Sequence, residues 1–177
     1  MPLPIAHACV GAGVVAAVRR RGEPARDLWL PMLVGAVIAN CPDLDFILER
    51  VIDEHGWHRG PTHSLFFALV VGVLIIAALG TSRLRQAVGY GLAFMSHGLL
   101  DSATTKVGGG VELLWPFMDE RFKLGLVGVS EIEDGFRLVE MLKDSLKEAL
   151  IFIPLLLIVL FLKGTFTAGG GLTQDAA

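Results

Sequence analysis

Residues 58–80 read HRGPTHSLFFALVVGVLIIAALG, two histidines and an arginine at the lip of a run with no charged residue from Leu65 to Gly80. Such a run reads as a helix in lipid, where a helix satisfies its own backbone polar groups. Working outward, apolar segments stand at about 3–18, 28–41, 63–80, 86–101 and 148–162. The 177-residue chain is 53% hydrophobic and 19% charged, with mean hydropathy +0.61, too apolar in too long blocks for a soluble domain. The expectation is an all-α polytopic membrane protein: a bundle of four to five transmembrane helices, with a short amphipathic helix and a long loop between spans four and five. One membrane-embedded domain covers 1–165, and 166–177 form a disordered tail.

Other classes fall away. Net charge is −3 and the one basic tract is RRR at 19–21, which excludes nucleic acid as the main ligand. Cys9 and Cys41 lie inside apolar segments without metal or disulfide spacing. The opening MPLPIAHACVGAGVVAAVRRR puts its arginines after the apolar run, the reverse of a secretory signal, so it reads as a retained first helix.

The connections differ in charge. RRRGEPARD and TSRLR are short and basic; residues 42–62 and 102–147 are longer and mixed. The positive-inside tendency puts the short pair in the cytoplasm and the N-terminus and longer loops outside. Pro42 disfavours helix at Cys41 but suits the first turn of a new one, so 42–54 read as the amphipathic helix. Helical spacing of Phe136, Val139, Leu142 and Leu146 suggests a piece lying on the membrane surface before span five.

His7 starts span one, Asp43 and Asp45 follow span two, His58, Arg59 and His63 precede or open span three, and His97 and Asp101 close span four. In an alternating bundle the starts of odd spans and the ends of even ones share a face. Four segments therefore deliver their His and Asp side chains to one edge of the membrane. Imidazole plus carboxylate is the ligand set of zinc, manganese or iron sites that activate water. Singly, each residue has an ordinary reading: Asp43 as a helix cap, His97 and Asp101 as an i,i+4 pair, His55 as an interfacial polar residue. A proton pathway would spread such groups through the bilayer depth rather than gather them at one edge. Arg59 and Arg121 are candidates for an anionic substrate, although Arg121 can instead pair with Asp119 or Glu120. Trp115 and Phe117 suit an apolar substrate groove or an interfacial anchor, and Lys106 reads equally well as a surface lysine.

MPLPIAH at the start, ANCPDLD at 39–45, HRGPTHS at 58–64, SHGLLD at 96–101 and TTKVGGGVELLWPF at 104–117 occur in that order. Over about residues 1–125 the chain thereby resembles the YdjM-like family, inner-membrane proteins of bacteria and archaea described as metal-dependent hydrolases, one of them as LexA-binding. The resemblance implies a multi-helix membrane protein with a metal site at His7, Asp43, Asp45, His63, His97 and Asp101. It names no substrate, and no residue here carries the LexA association. Residues 126–177 match less distinctively.

Together these readings give an inner-membrane hydrolase holding one or two divalent ions, zinc ahead of manganese or iron, at the extracytoplasmic face. Asp45 is a ligand or general base, His58 a proton donor to the leaving group, and Arg59, with Arg121 and Trp115, the binding side for a lipid-like or phosphorylated substrate. No HExxH helix is present, which argues against the commonest zinc-protease design. The alternatives are a non-enzymatic regulator, a structural metal-binding protein, or ion transport.

Overall fold

The computed structural model describes residues 3–21, 23, 25–52, 57–106, 109–126 and 138–165. His55, Gly108, Phe136 and the tail 166–177 lie outside these. Among the described residues the chain is all-helical: α1 (Pro4–Val18), α2 (Ala25–Asn40), α3 (Asp45–Ile52), α4 (Leu65–Leu79), α5 (Leu84–Thr104) and α6 (Leu138–Leu162). The only β pairing among these residues is one antiparallel bridge, Val111 with Phe122.

The helices follow the apolar blocks, but the span count does not. Arg26–Val51 and Leu138–Leu162, at 26 and 25 residues, are long and apolar enough to cross a membrane. Helices α4 and α5 meet at a 112° bend and add a third span only if the pair counts as one. Helix α1 has 15 residues, a length of about 22 Å against the roughly 30 Å of a hydrocarbon core. Among the described residues two to three candidate spans thus stand beside the expected four to five, because an apolar block shorter than the bilayer still reads as apolar in the sequence.

Two boundaries also move. Cys41–Leu44 form a 3-10 turn with Pro42 in its first turn, so α2 continues into α3 rather than stopping before a loop. Asp43 and Asp45 therefore sit within one helical stretch. At the other end, the segment expected to lie on the membrane surface runs unbroken from Leu138 into the last apolar run.

Helix α1 packs against α2, α5 and α6, and α4 packs on α5. Small residues make the closest approach: a Cβ on Gly11 would meet the carbonyl oxygen of Gly35 at 2.5 Å, so α1 and α2 touch backbone to backbone. Many large apolar side chains, such as Leu74, Leu150 and Phe161, face outward, as a lipid solvent allows. Helix α6 runs parallel to α1 and holds both its ends. The carboxylate of Glu148, fully buried, accepts hydrogen bonds from the backbone N–H groups of Leu3 and Ala6. The ammonium of Lys163 donates to the carbonyls of Ala17 and Arg19. A negative charge thus meets the positive end of α1 and a positive charge its negative end.

Candidate metal centre

The helix arrangement brings the start of α1, the α2–α3 turn, the turn before α4 and the end of α5 to one place. In HRGPTHS, Arg59 takes a left-handed φ of 62°, Pro61–His63 form a 3-10 turn, and Ser64 caps α4 by accepting from the Phe67 N–H. His63 is thereby turned inward. Gly98 makes the approach possible, since a Cβ there would lie 2.1 Å from the His63 carbonyl oxygen. The loop after α5 straps this turn down: the Glu112 N–H donates to the Arg59 carbonyl and the Leu65 N–H to that of Leu113.

Four side chains form the centre. One oxygen or nitrogen each from Asp43, His63, His97 and Asp101 all lie within 4.8 Å of one another. The two Nε2 atoms are 3.0 Å apart; Asp43 Oδ1 is 3.3 Å from His97 Nε2 and 3.5 Å from His63 Nε2. Asp101 Oδ2 is 3.6 Å from His63 Nε2 and 3.8 Å from His97 Nε2. Ligands at about 2.0–2.1 Å on a tetrahedral ion stand about 3.3 Å apart, inside this range.

The proton positions strengthen the case. His97 Nδ1 lies 2.6 Å from the Ala39 carbonyl, which only accepts, so Nδ1 carries the hydrogen and Nε2 faces the centre with its lone pair. His63 Nδ1 lies 3.0 Å from the Thr62 hydroxyl and 3.3 Å from Asp45 Oδ2, and the hydroxyl donates to Asp45 at 2.6 Å. That chain places the His63 hydrogen on Nδ1 as well. With both rings neutral, two imidazole lone pairs and two carboxylate oxygens converge, an arrangement that a metal cation, or a proton on His63 Nε2, would hold together. Buried side-chain atoms without a hydrogen-bond partner concentrate here: His7 Nδ1 and Nε2, Asp43 Oδ1, Arg59 Nε and both Asp101 oxygens. Buried polar atoms left unpaired in this way call for an ion or water, and the donor set fits a divalent metal.

His63 lies in the turn outside the helical spans. Burial alone would lower its pKa, but hydrogen bonding to Asp43 and Asp45 and the charge of Asp101 push it up to about 9. A proton and a metal compete for the same nitrogen.

The remaining expected site residues take outer positions. His7 stacks on His97 with ring centroids 3.8 Å apart and stands 3.3 Å from Asp101 Oδ1, the oxygen turned away from the quartet. Asp45 supports His63 from behind and binds His58 Nδ1 at 2.8 Å. His7 and Asp45, expected among the ligands, lie outside this quartet: His7 reaches it through Asp101, and Asp45 belongs to a second group. Asp45, His58 and His63 are a second trio within 4.8 Å, already joined by those hydrogen bonds. Arg59 Nε lies 3.8 Å from Asp101 Oδ2, within reach of the centre. Arg121 departs from expectation: its guanidinium is held by Glu112, with Nη2 at 2.9 Å, rather than by Asp119 or Glu120, and Nη1 donates to the His58 carbonyl. It clamps the loop. Trp115 and Phe117 pack edge-on against Phe66 at the start of α4. Sequence reasoning missed Thr62, Glu112 and Glu148. Thr62 stood inside a quoted motif, whereas Glu148 carried no signal, being one acid in the polar run KDSLKEAL.

The chain is 37% identical over 133 residues to inner membrane protein YbcI of Escherichia coli (strain K12), covering 69% of this chain and 72% of that protein. No solved structure matches. The family described as YdjM inner membrane protein matches residues 1–170, so the likeness extends past the five motifs through α6. With its motif residues gathered into one buried cluster, this chain belongs to the YdjM inner membrane protein family.

Proposed function

We propose that the protein is a metal-dependent hydrolase of the inner membrane, acting on a phosphoester or lipid-like substrate. The observation that carries the reading is the quartet of Asp43, His63, His97 and Asp101, whose two histidine lone pairs and two carboxylate oxygens converge at metal-ligand spacing. Zinc fits the two-nitrogen, two-oxygen donor set, and manganese or iron fit it with a larger coordination number. The bound ion supplies Lewis acidity and lowers the pKa of water. The pre-bonded Asp45–His58–His63 trio favours a single ion.

The protein's own groups supply the rest. Asp45, tied to Thr62 and His58, holds the His63 ring and is the nearest carboxylate to pass a proton outward. His58, partly exposed, gives that proton to the leaving group. Arg59, whose Nε has no hydrogen-bond partner, meets an anionic group of the substrate. We place the centre at the extracytoplasmic edge and the helices in the bilayer; support comes from Arg19–Arg21, Arg83 and Arg85, which lie at the other ends of α1 and α5.

The second reading is a structural metal site in a membrane regulator. Four protein ligands already complete a tetrahedral shell, the pattern of closed sites, whereas catalytic zinc keeps a position open. The purified protein, loaded separately with zinc, manganese and iron, is to be assayed on phosphoester and lipid substrates beside Arg59→Gln and His58→Gln. Turnover with the metal, reduced by both variants at unchanged metal content, supports the hydrolase. Full metal loading with no turnover on any substrate favours the closed structural site.

A further inference from the structure

The loop after α5 folds back on itself beside the metal centre. Val111 and Phe122 exchange both backbone hydrogen bonds, at 3.0 and 2.8 Å, and an antiparallel bridge of this kind sets their chain neighbours Glu112 and Arg121 opposite each other. Gly110 permits the close approach, with a φ of 76° and a place where a Cβ would lie 2.9 Å from the Phe122 carbonyl oxygen. The two side chains then meet: Arg121 Nη2 lies 2.9 Å and Nε 3.1 Å from Glu112 Oε1. Both residues also reach the turn that carries Arg59. The Glu112 N–H donates to the Arg59 carbonyl at 3.0 Å, and Arg121 Nη1 donates to the His58 carbonyl at 3.4 Å. Those two carbonyls belong to the peptide planes on either side of the Arg59 Cα, so together the contacts fix its φ and ψ. Arg59 needs such a hold: its φ of 62° is a left-handed conformation that a side chain longer than glycine's keeps only where the surroundings enforce it.

We infer that Glu112 and Arg121 are positioning residues for Arg59: by holding the peptide planes on both sides of its Cα, the pair aims its guanidinium at the metal centre, ready for an anionic group of the substrate. The aim is visible in Arg59 Nε, which lies 3.8 Å from Asp101 Oδ2 and has no hydrogen-bond partner of its own. Arg121 then acts on a bound anion through Arg59 and not by contact. The inference rests on the reading of Arg59 as the anion-binding group and extends it to the two residues that set its geometry.

Isothermal titration calorimetry of the zinc-loaded, detergent-purified full-length protein with inorganic phosphate tests it, with zinc content read by elemental mass spectrometry. Arg59→Gln should weaken phosphate binding about tenfold, the effect of losing one charge-assisted hydrogen bond. Glu112→Gln and Arg121→Gln should each weaken it about fivefold at unchanged zinc content, the effect of losing one bond of the clamp. These two variants remove charges of opposite sign, so a direct effect on the phosphate would shift its affinity in opposite directions. A loss shared by both is the mark of positioning. In the Arg59→Gln background either substitution should cost no more than about twofold further, because residues that act through one group are not additive. Glu120→Gln, which neutralises an exposed acid beside Arg121, should leave phosphate binding unchanged. Opposite shifts in Glu112→Gln and Arg121→Gln, native affinity in both, equal losses with and without Arg59, or loss of zinc from either variant would overturn the inference while leaving Arg59 as the anion site. No phosphate bound by the native protein, or native affinity in Arg59→Gln, would overturn the reading of Arg59 and the inference with it.

Discussion

Gly98→Ala should empty the metal centre while leaving every proposed ligand in the sequence. The added Cβ would stand 2.1 Å from the His63 carbonyl oxygen and 3.1 Å from its carbonyl carbon. Ordinary contact between such atoms begins above 3 Å, so α5 and the His63 turn must separate by roughly 1 Å. His97 adjoins residue 98 on one side of that contact and His63 is the other side. Ligand positions tolerate about ±0.2 Å, so a separation of this size removes one ligand from the set. Metal affinity should fall at least hundredfold, beyond the roughly 10–100-fold seen when only an orienting partner is lost. Overpacking should cost about 1–3 kcal/mol of stability besides. Chelator competition with the detergent-purified protein reads the first effect and thermal unfolding the second. Gly13→Ala is the control, its Cβ meeting only Leu156 Cδ1 at an ordinary 3.6 Å. Native metal affinity in Gly98→Ala would refute the reasoning, since it would mean that the approach of α5 to this turn does not set the His63–His97 geometry.

The layering of the site predicts unequal losses: His7→Ala or Asp45→Ala should weaken metal binding about 10–100-fold by chelator competition, and His63→Ala by much more. Equal losses at all three would contradict the assignment of His7 and Asp45 to the outer layer. Because the pKa of His63 is raised to about 9 from an unfolded value near 6.5, its proton stabilises the metal-free protein. That contribution, about 3 kcal/mol by linkage, is fully present below about pH 6.5 and is lost as pH climbs through about 9. Metal needs the neutral ring, so metal-loaded protein should gain over the same window; thermal scans of the two forms should diverge, and parallel curves would count against the shared nitrogen. Glu148→Ala, which deprives the buried Leu3 N–H of its acceptor and leaves the Ala6 N–H with only the Leu3 carbonyl, should destabilise the protein by about 2 kcal/mol. Chemical unfolding in detergent checks this, and an unchanged midpoint would remove the clamp of α6 on α1.

The candidate site was more legible in the sequence than the span count. The parity of the apolar segments brought His7, Asp43, His63, His97 and Asp101 together, and the structure gathers them into one cluster. Parity locates a residue along a span but not its distance from a neighbour. It could not separate the quartet from His7 and Asp45, which are the same residue types and lie just outside it. Composition found the apolar blocks but not their geometry: α1 is too short for a full span, and Pro42 tightens α2 into a 3-10 turn without ending it. Glu148 was invisible for a different reason. In its own helix it reads as one more acid on a solvated face; its burial depends on α6 lying parallel to α1, a long-range contact that no local pattern encodes.

The most direct test of the account is the metal content of the purified protein by elemental mass spectrometry, native beside His97→Ala and Asp101→Ala. The account predicts about one zinc, manganese or iron per chain in the native protein and its loss in both variants. A native protein that holds no metal even after supplementation, or variants that keep it, would contradict the metal centre.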